Sequence, residues 1–213
     1  LCDETVHDDL VGSIQKNMSE FFSGGIDAAS KDYCSIANEH HFNRLRGALK
    51  QAVSSGAEVV SGGEASQSGL YLSPAILTGV NYENPIMEEE IFGPILPIIK
   101  TKNLGEAIEY INNNEKPLAL YLFSNKGSEQ NKVLKNTSSG GMVINDCVLH
   151  HMNPNLPFGG INNSGVGSYH GKFGFDAFSH HKAVLKSSSF SPFKIMLPPY
   201  TKTKENLANL IKK

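Results

Sequence analysis

Cysteine is scarce in this chain: three residues in 213, an odd number that makes no disulfide framework and suits a reducing compartment. A surplus of charge is missing too. Lys and Arg number 19 against 21 Asp and Glu, a net charge of −2 that creates no strong field toward nucleic acid or anionic lipid. No apolar run reaches the roughly 20 residues that span a bilayer, and no signal peptide opens the chain. A cytoplasmic location is expected. An initiator methionine is also lacking: Leu1 comes first and a helical pattern follows almost at once, which reads as a fragment or a processed chain.

What is present suits a globular α/β protein. Hydrophobic residues make up 39%, and the 20 glycines bring the apolar share to about 48%. A chain this long buries roughly 70% of its unfolded surface. Val6, Leu10, Ile14, Met18 and Phe22 recur every four residues and predict a helix stopped by Gly24 and Gly25. Phe42, Leu45 and Leu49 predict a second over 39–53. Extended segments are expected at 57–61 and 71–77, with a hairpin or loop over 61–69. The apolar run 95–99, the Asn103-capped helix with its Leu104, Ala107, Ile108 and Ile111 stripe, the strand 118–123, a helix near 128–138 and the strand 141–145 then alternate. That alternation predicts βαβ units whose strands share a parallel sheet, with 118–123 covered on both faces. Residues 153–174, rich in glycine, proline and asparagine, read as a long shaped loop. Val184 to Lys186 reads as a last strand, and the tail as a short Lys-rich helix.

Several constellations invite chemistry. Asn145-Asp146-Cys147 follows the last clear strand, where parallel sheets present ligand sites, although the same residues also suit a turn. Six of the eight histidines come as adjacent pairs, at 40–41, 150–151 and 180–181, a spacing that splays the rings apart and disfavours a metal site. Gly165, Gly167 and Gly171 imitate a dinucleotide fingerprint without the preceding strand, and Gly171-Lys172 lacks the hydroxyl residue of a phosphate loop. Cys2 and Cys34 have no evident activator, and Cys147 follows an aspartate that would raise its pKa, so all three read as structural. The run from Glu88 through Phe92 to Pro94 places carboxylates beside an aromatic at a Gly-Pro turn. A carboxylate there accepts sugar hydroxyls while the ring packs on a flat heterocycle.

These residues resemble a known family. Glu89-Glu90-Ile91-Phe92-Gly93-Pro94, the stretch from Glu115-Lys116-Pro117 to Tyr121, and Pro157-Phe158-Gly159-Gly160 followed by Asn163-Ser164-Gly165 resemble the aldehyde dehydrogenases. Ser138-Ser139-Gly140-Gly141, Asn145-Asp146, Gly167-Ser168-Tyr169-His170-Gly171-Lys172 and Phe178-Ser179-His180 narrow the likeness to class 3, the branch that includes fatty aldehyde dehydrogenases. It runs in order from residue 1 to about 186. The resemblance implies an oxidoreductase that converts aldehydes, of medium or long chain or aromatic, to carboxylates with NAD or NADP. A cysteine nucleophile and a glutamate-activated water do that work in the family. Glu90 would bind the nicotinamide ribose, Phe92 would pack near the nicotinamide ring, and Phe158 would line the aldehyde pocket. The strand near Val184 would bridge to a second subunit in a homodimer.

The motif around the family's nucleophile does not surround Cys2, so no catalytic residue is expected in this chain. Its beginning would lie just after the catalytic cysteine, with the general-base glutamate and the Rossmann-type domain upstream. Residues 1–147 would then be the C-terminal part of the catalytic domain, 148–190 the active-site loop and bridging segment, and 191–213 the tail. Some class 3 members end in a membrane anchor; here the chain stops at lysines, and the anchor is either absent or cut away. The chain alone is expected to be inactive. The alternative is a non-catalytic short product that associates with full-length subunits.

Overall fold

A computed structural model describes residues 1–22, 32–187, 189, 193 and 197–211. The chain opens with β1 (Cys2–Asp3) and α1 (His7–Phe21), and continues through α2 (Glu39–Ser54), β2 (Glu58–Ser61), β3 (Ala65–Ser66), β4 (Tyr71–Leu72) and β5 (Ala75–Thr78). Next come β6 (Ile95–Pro97), β7 (Lys100–Thr101), α3 (Leu104–Asn113), β8 (Ala119–Leu122), α4 (Gly127–Asn136) and β9 (Gly141–Ile144). Three helices close the order: α5 (Leu149–Met152), α6 (Gly171–Ala177) and α7 (Lys202–Ile211).

The main core lies between α2 and the sheet β2-β5-β6. Asn38 caps α2 by accepting the His41 backbone N–H at 2.8 Å. Phe42, Leu45, Leu49 and Ala52 then form the buried face, packed on Leu72, Ala75, Leu77, Ile95 and Ile99. In the sheet, β2 runs antiparallel to β5 and β5 parallel to β6, with Ala75 opposite Ile95. The extended segment 71–77 is broken at Ser73-Pro74, where a proline without an N–H interrupts pairing. Its first half pairs with β3 in a small antiparallel hairpin and its second half enters the sheet. The run 95–99 also divides. β6 pairs with β5, and the chain then passes to β1, with Cys2 opposite Lys100 in parallel register.

Helix α1 packs on Cys2, Ile76 and Ile98 through Val11, Ile14 and Met18. Val6 and Leu10 of the expected stripe face outward and His7 is buried instead. A strict four-residue repeat drifts about 40° per step around a helix of 3.6 residues per turn, so the stripe slips by one residue toward its start. Gly24 and Gly25 lie outside the described residues.

The βαβ unit is present: β8 and β9 are parallel, Ala119 opposite Gly141, with α4 between them. Asn103 caps α3 by accepting the Glu106 N–H, and Ile108 of α3 meets Leu120 and Val133. Two expectations need correction here. The strands 95–97, 119–122 and 141–144 do not share one ladder; the described pairings fall into separate pieces. Strand β8 is buried on one face, where Leu120 packs with Ile108 and Val133, and only partly covered on the other, where Tyr121 stays exposed beside the His150 ring. The segment 153–174 is more ordered than a loop, since it includes a turn of 3-10 helix at Asn162–Ser164 and the start of α6. No strand forms at Val184 to Lys186, where Val184 and Leu185 lie exposed without a pairing partner among the described residues. No described helix is long and apolar enough to cross a membrane.

Candidate active site

The loop at residues 88–94 leaves α2's core face and enters β6. Its backbone is held by two side chains of α2. Arg44 donates to the Ile91 carbonyl through Nη2 and to His41 Nδ1 through Nε at 3.3 Å. His41 Nε2 lies 2.6 Å from the Phe92 carbonyl. A carbonyl only accepts, so the proton sits on Nε2, and this leaves Nδ1 free to accept from Arg44. Arg44 also lies 4.0 Å from the Glu89 carboxylate. Gly93 permits the approach, because a Cβ there would come 2.4 Å from Leu45 Cδ2.

What the pinned loop displays is a carboxylate and a ring. Glu90 is exposed and makes no ion pair or hydrogen bond among the described residues. Phe92 adopts a left-handed backbone, φ 45, which turns its side chain into solvent with 73% of the residue exposed. Left-handed conformations are uncommon for a bulky residue and persist where the surroundings enforce them. Here the two bonds from α2 enforce it. An exposed acceptor beside an exposed ring fits a ribose attached to a flat heterocycle.

Phe158 sits in a different setting. It forms a two-bond antiparallel bridge with Tyr169, at 3.0 and 2.9 Å, and its ring touches His150, His151, Tyr169 and His170. The glycines around it allow backbone to lie on backbone. A Cβ on Gly159 would fall 2.0 Å from the Gly167 carbonyl, and one on Gly140 would fall 2.2 Å from the Gly159 carbonyl. The runs 138–141, 157–160 and 163–167 are therefore parts of one packing unit. Asn163 donates to Glu115, which ties the 115–121 stretch to the same unit. Glu90 and Phe92 share one loop, and the ring contacts of Phe158 come from its own side of the chain.

The remaining candidates divide. Asn145, at φ 61, uses its side chain to accept the Ser124 N–H at 2.9 Å and so ties the ends of β8 and β9 together. Cys2 is buried and its thiol is pushed up by that burial, while Cys34 and Cys147 are exposed. The described residues contain no group of three or more His, Cys, Asp or Glu arranged to hold a metal. A pocket of about 320 Å³ opens beneath the loop against Arg44, Gln51 and Glu89; another of about 710 Å³ lies between α1 and residues 78–82.

Comparison with known proteins decides the family. The aldehyde dehydrogenase family profile matches residues 1–184. The chain belongs to the aldehyde dehydrogenase family. It is 44% identical over 189 residues to the "Aldehyde dehydrogenase, dimeric NADP-preferring" of Rattus norvegicus, which covers 88% of this chain and 40% of the relative. Its identity to aldehyde dehydrogenase family 3 member A2 of Mus musculus is 42% over 212 residues, or 98% of this chain and 42% of the relative. The solved substrate-bound state of Staphylococcus aureus AldH superposes with a TM-score of 0.91 at 41% identity, covering all of this chain and 45% of that one. The chain thus spans about two fifths of the length of these curated relatives. Within this aldehyde dehydrogenase chain, sequence reading singled out Glu90, Phe92 and Phe158 as candidates and passed over His41 and Arg44, which hold the loop that carries the first two. Adjacent histidines suggested only an unlikely metal pair, whereas His41's partner is a carbonyl 51 residues away.

Proposed function

We propose that the chain supplies the cofactor-facing and aldehyde-facing walls of an NAD(P)-dependent aldehyde dehydrogenase that oxidises apolar or aromatic aldehydes to carboxylates. The observation that carries this reading is the 88–94 loop, pinned by His41 and Arg44 and displaying Glu90 and Phe92 together. Glu90 accepts hydrogen bonds from the hydroxyls of the nicotinamide ribose, Phe92 packs against the nicotinamide, and Phe158 lines the aldehyde pocket. NAD or NADP, when bound, supplies the hydride acceptor. The protein's part here is orientation, and a displacement of about 1 Å costs on the order of a hundredfold in rate.

The nucleophile is assigned to none of this chain's cysteines. Cys2 is buried with its thiol raised, and Cys34 and Cys147 are exposed thiols outside the 88–94 loop. Residues 1–213 alone are accordingly expected to reduce neither NAD nor NADP in the presence of aldehyde. A rate that saturates with aldehyde and vanishes in Cys34→Ser or Cys147→Ser would overturn this assignment. In the active enzyme containing the chain, Glu90→Gln is expected to weaken NAD(P) binding by calorimetry and to slow turnover up to about a hundredfold. Unchanged affinity together with unchanged turnover would remove Glu90 from the site.

A second reading rests on one observation, the exposed Val184 and Leu185 in the segment likened to a bridging strand. In that reading the chain associates with a second subunit through this segment, as a homodimer or as a non-catalytic partner of full-length subunits.

A further inference from the structure

Phe158 is enclosed by three imidazoles and a phenol. His150 lies at 5.4 Å between ring centres and His151 stands edge-on at 4.8 Å. His170 stacks at 5.7 Å with 21° between the planes, and Tyr169 stands edge-on at 5.8 Å. His150 is the buried member, 7% exposed, and neither of its ring nitrogens has a hydrogen-bond partner among the described residues; His170 Nδ1 is also buried without one there. Burying an imidazole with both nitrogens unpaired is unfavourable in a way that an apolar side chain at the same place would avoid.

A second cost falls on the same two segments. Val148, the residue before α5, has a left-handed backbone at φ 63, and His170, the residue before α6, has φ 87. For a β-branched valine that conformation is an outlier. Such strain survives only where packing over-determines it, and it gathers at ligand clamps. The unpaired imidazole and the strained entries are independent observations, and they converge on one ring.

The position of His150 shows what the cluster does. Its ring lies between β9 and Phe158, so close to the strand that a Cβ on Gly141 would come 2.5 Å from His150 Cδ2. Tyr121 of β8 stands edge-on at 6.0 Å. A five-membered ring fills this slot, a six-membered ring overfills it, and a methyl group leaves it open.

We infer that His150 is a positioning residue for aldehyde specificity: wedged between Gly141 and Phe158, it sets the tilt of Phe158 and thereby the width of an aromatic-walled pocket for apolar aldehydes. This rests on the assignment of Phe158 to the aldehyde pocket. His151 and His170 hold the other faces of the same ring.

The test pairs two substitutions that act on the wedge in opposite directions. In the active enzyme containing this chain, His150→Ala lets Phe158 fall back, and His150→Phe pushes it inward. The ratio of kcat/KM for a bulky apolar aldehyde to that for propanal is expected to rise about tenfold in the first and fall about tenfold in the second. The KM for NAD(P) should stay within about twofold in both, as expected when the aldehyde pocket alone is altered. General loosening of the structure would move both ratios the same way. In parallel, aromatic NMR of the 213-residue chain with labelled phenylalanine and tyrosine reads the Phe158 ring without substrate, with the Tyr82–Tyr110 stack as internal control. Shifted Phe158 resonances with the stack unmoved support the wedge. Ratios that stay within twofold or move in one direction, or an unmoved Phe158, overturn it. If one variant fails to fold, the sign of the other's change decides. A wild-type enzyme that oxidises no aldehyde overturns the functional reading and with it the specificity role, and the NMR result tells that failure apart from failure of the wedge.

Discussion

Tyr33 donates its hydroxyl to the Leu72 carbonyl at 2.7 Å and packs edge-on against Tyr71. Burial, with smaller contributions from Tyr71 and Cys34, pushes its ionisation up to about 12 from an ordinary 10. The folded state therefore holds this proton more tightly than the unfolded chain does. Its contribution to stability is fully present below pH 10, is lost as the pH climbs, and has gone above about 12. Absorbance at alkaline pH should show late-titrating tyrosine, Tyr82 being raised as well, and the component near pH 12 should disappear in Tyr33→Phe, a variant that should cost about 1 kcal/mol in denaturant unfolding. Nothing in the sequence announces this bond, because side chain-to-carbonyl contacts across 39 residues leave no periodic trace. Glu90 and Phe92 stand out in the sequence for the opposite reason: both fall in one short run, and the structure shows both exposed on the loop that run forms. His41 and Arg44 do not, since each is visible only through a partner far along the chain.

At the scale of elements, the α2-to-loop connection makes the firmest demand. Arg44→Ala removes a charged donor from the Ile91 carbonyl and the fixed partner of His41. Hydrogen bonds involving a charged group contribute about 1.5–3 kcal/mol, so NAD(P) affinity in the active enzyme should fall by roughly 10- to 100-fold. Amide exchange across residues 88–94 should quicken while α3 keeps its protection. Unaltered exchange would mean that the loop holds its shape without α2. Helices with a strong apolar repeat and a side-chain cap, α2 and α3, were readable to within a residue or two, because local pattern and tertiary packing agree there. Helix α6 escaped notice because Gly171 and Gly174 read as turn residues, and α5 because four residues carry no period. The strands were harder. Which ladder a short apolar run joins depends on partners that the run does not encode, as the division of 95–101 between β5 and β1 shows.

Taken as a whole molecule, the chain carries much apolar surface on its C-terminal side: Phe123, Val166, Phe178 and Leu185 are all exposed, Leu185 at 94%. Apolar patches of this kind mark surfaces that another surface covers. Purified residues 1–213 should therefore self-associate, with a light-scattering mass that rises with concentration, and Leu185→Asp should lower it. A monomer at every concentration would contradict this. The pairing of β1 with β7 bears on how the protein is made. Cys2 finds its strand partner at Lys100, so β1 waits for a partner 98 residues further along the chain. At about 5–20 residues per second, a ribosome needs ~5–20 s to supply that partner. Until then Val11, Ile14 and Met18 of α1 lack Ile98, and in the earlier part of the interval Ile76 as well. A chain cut before residue 95 would lack both Ile98 and the strand partner of β1, and amide exchange in α1 should quicken accordingly.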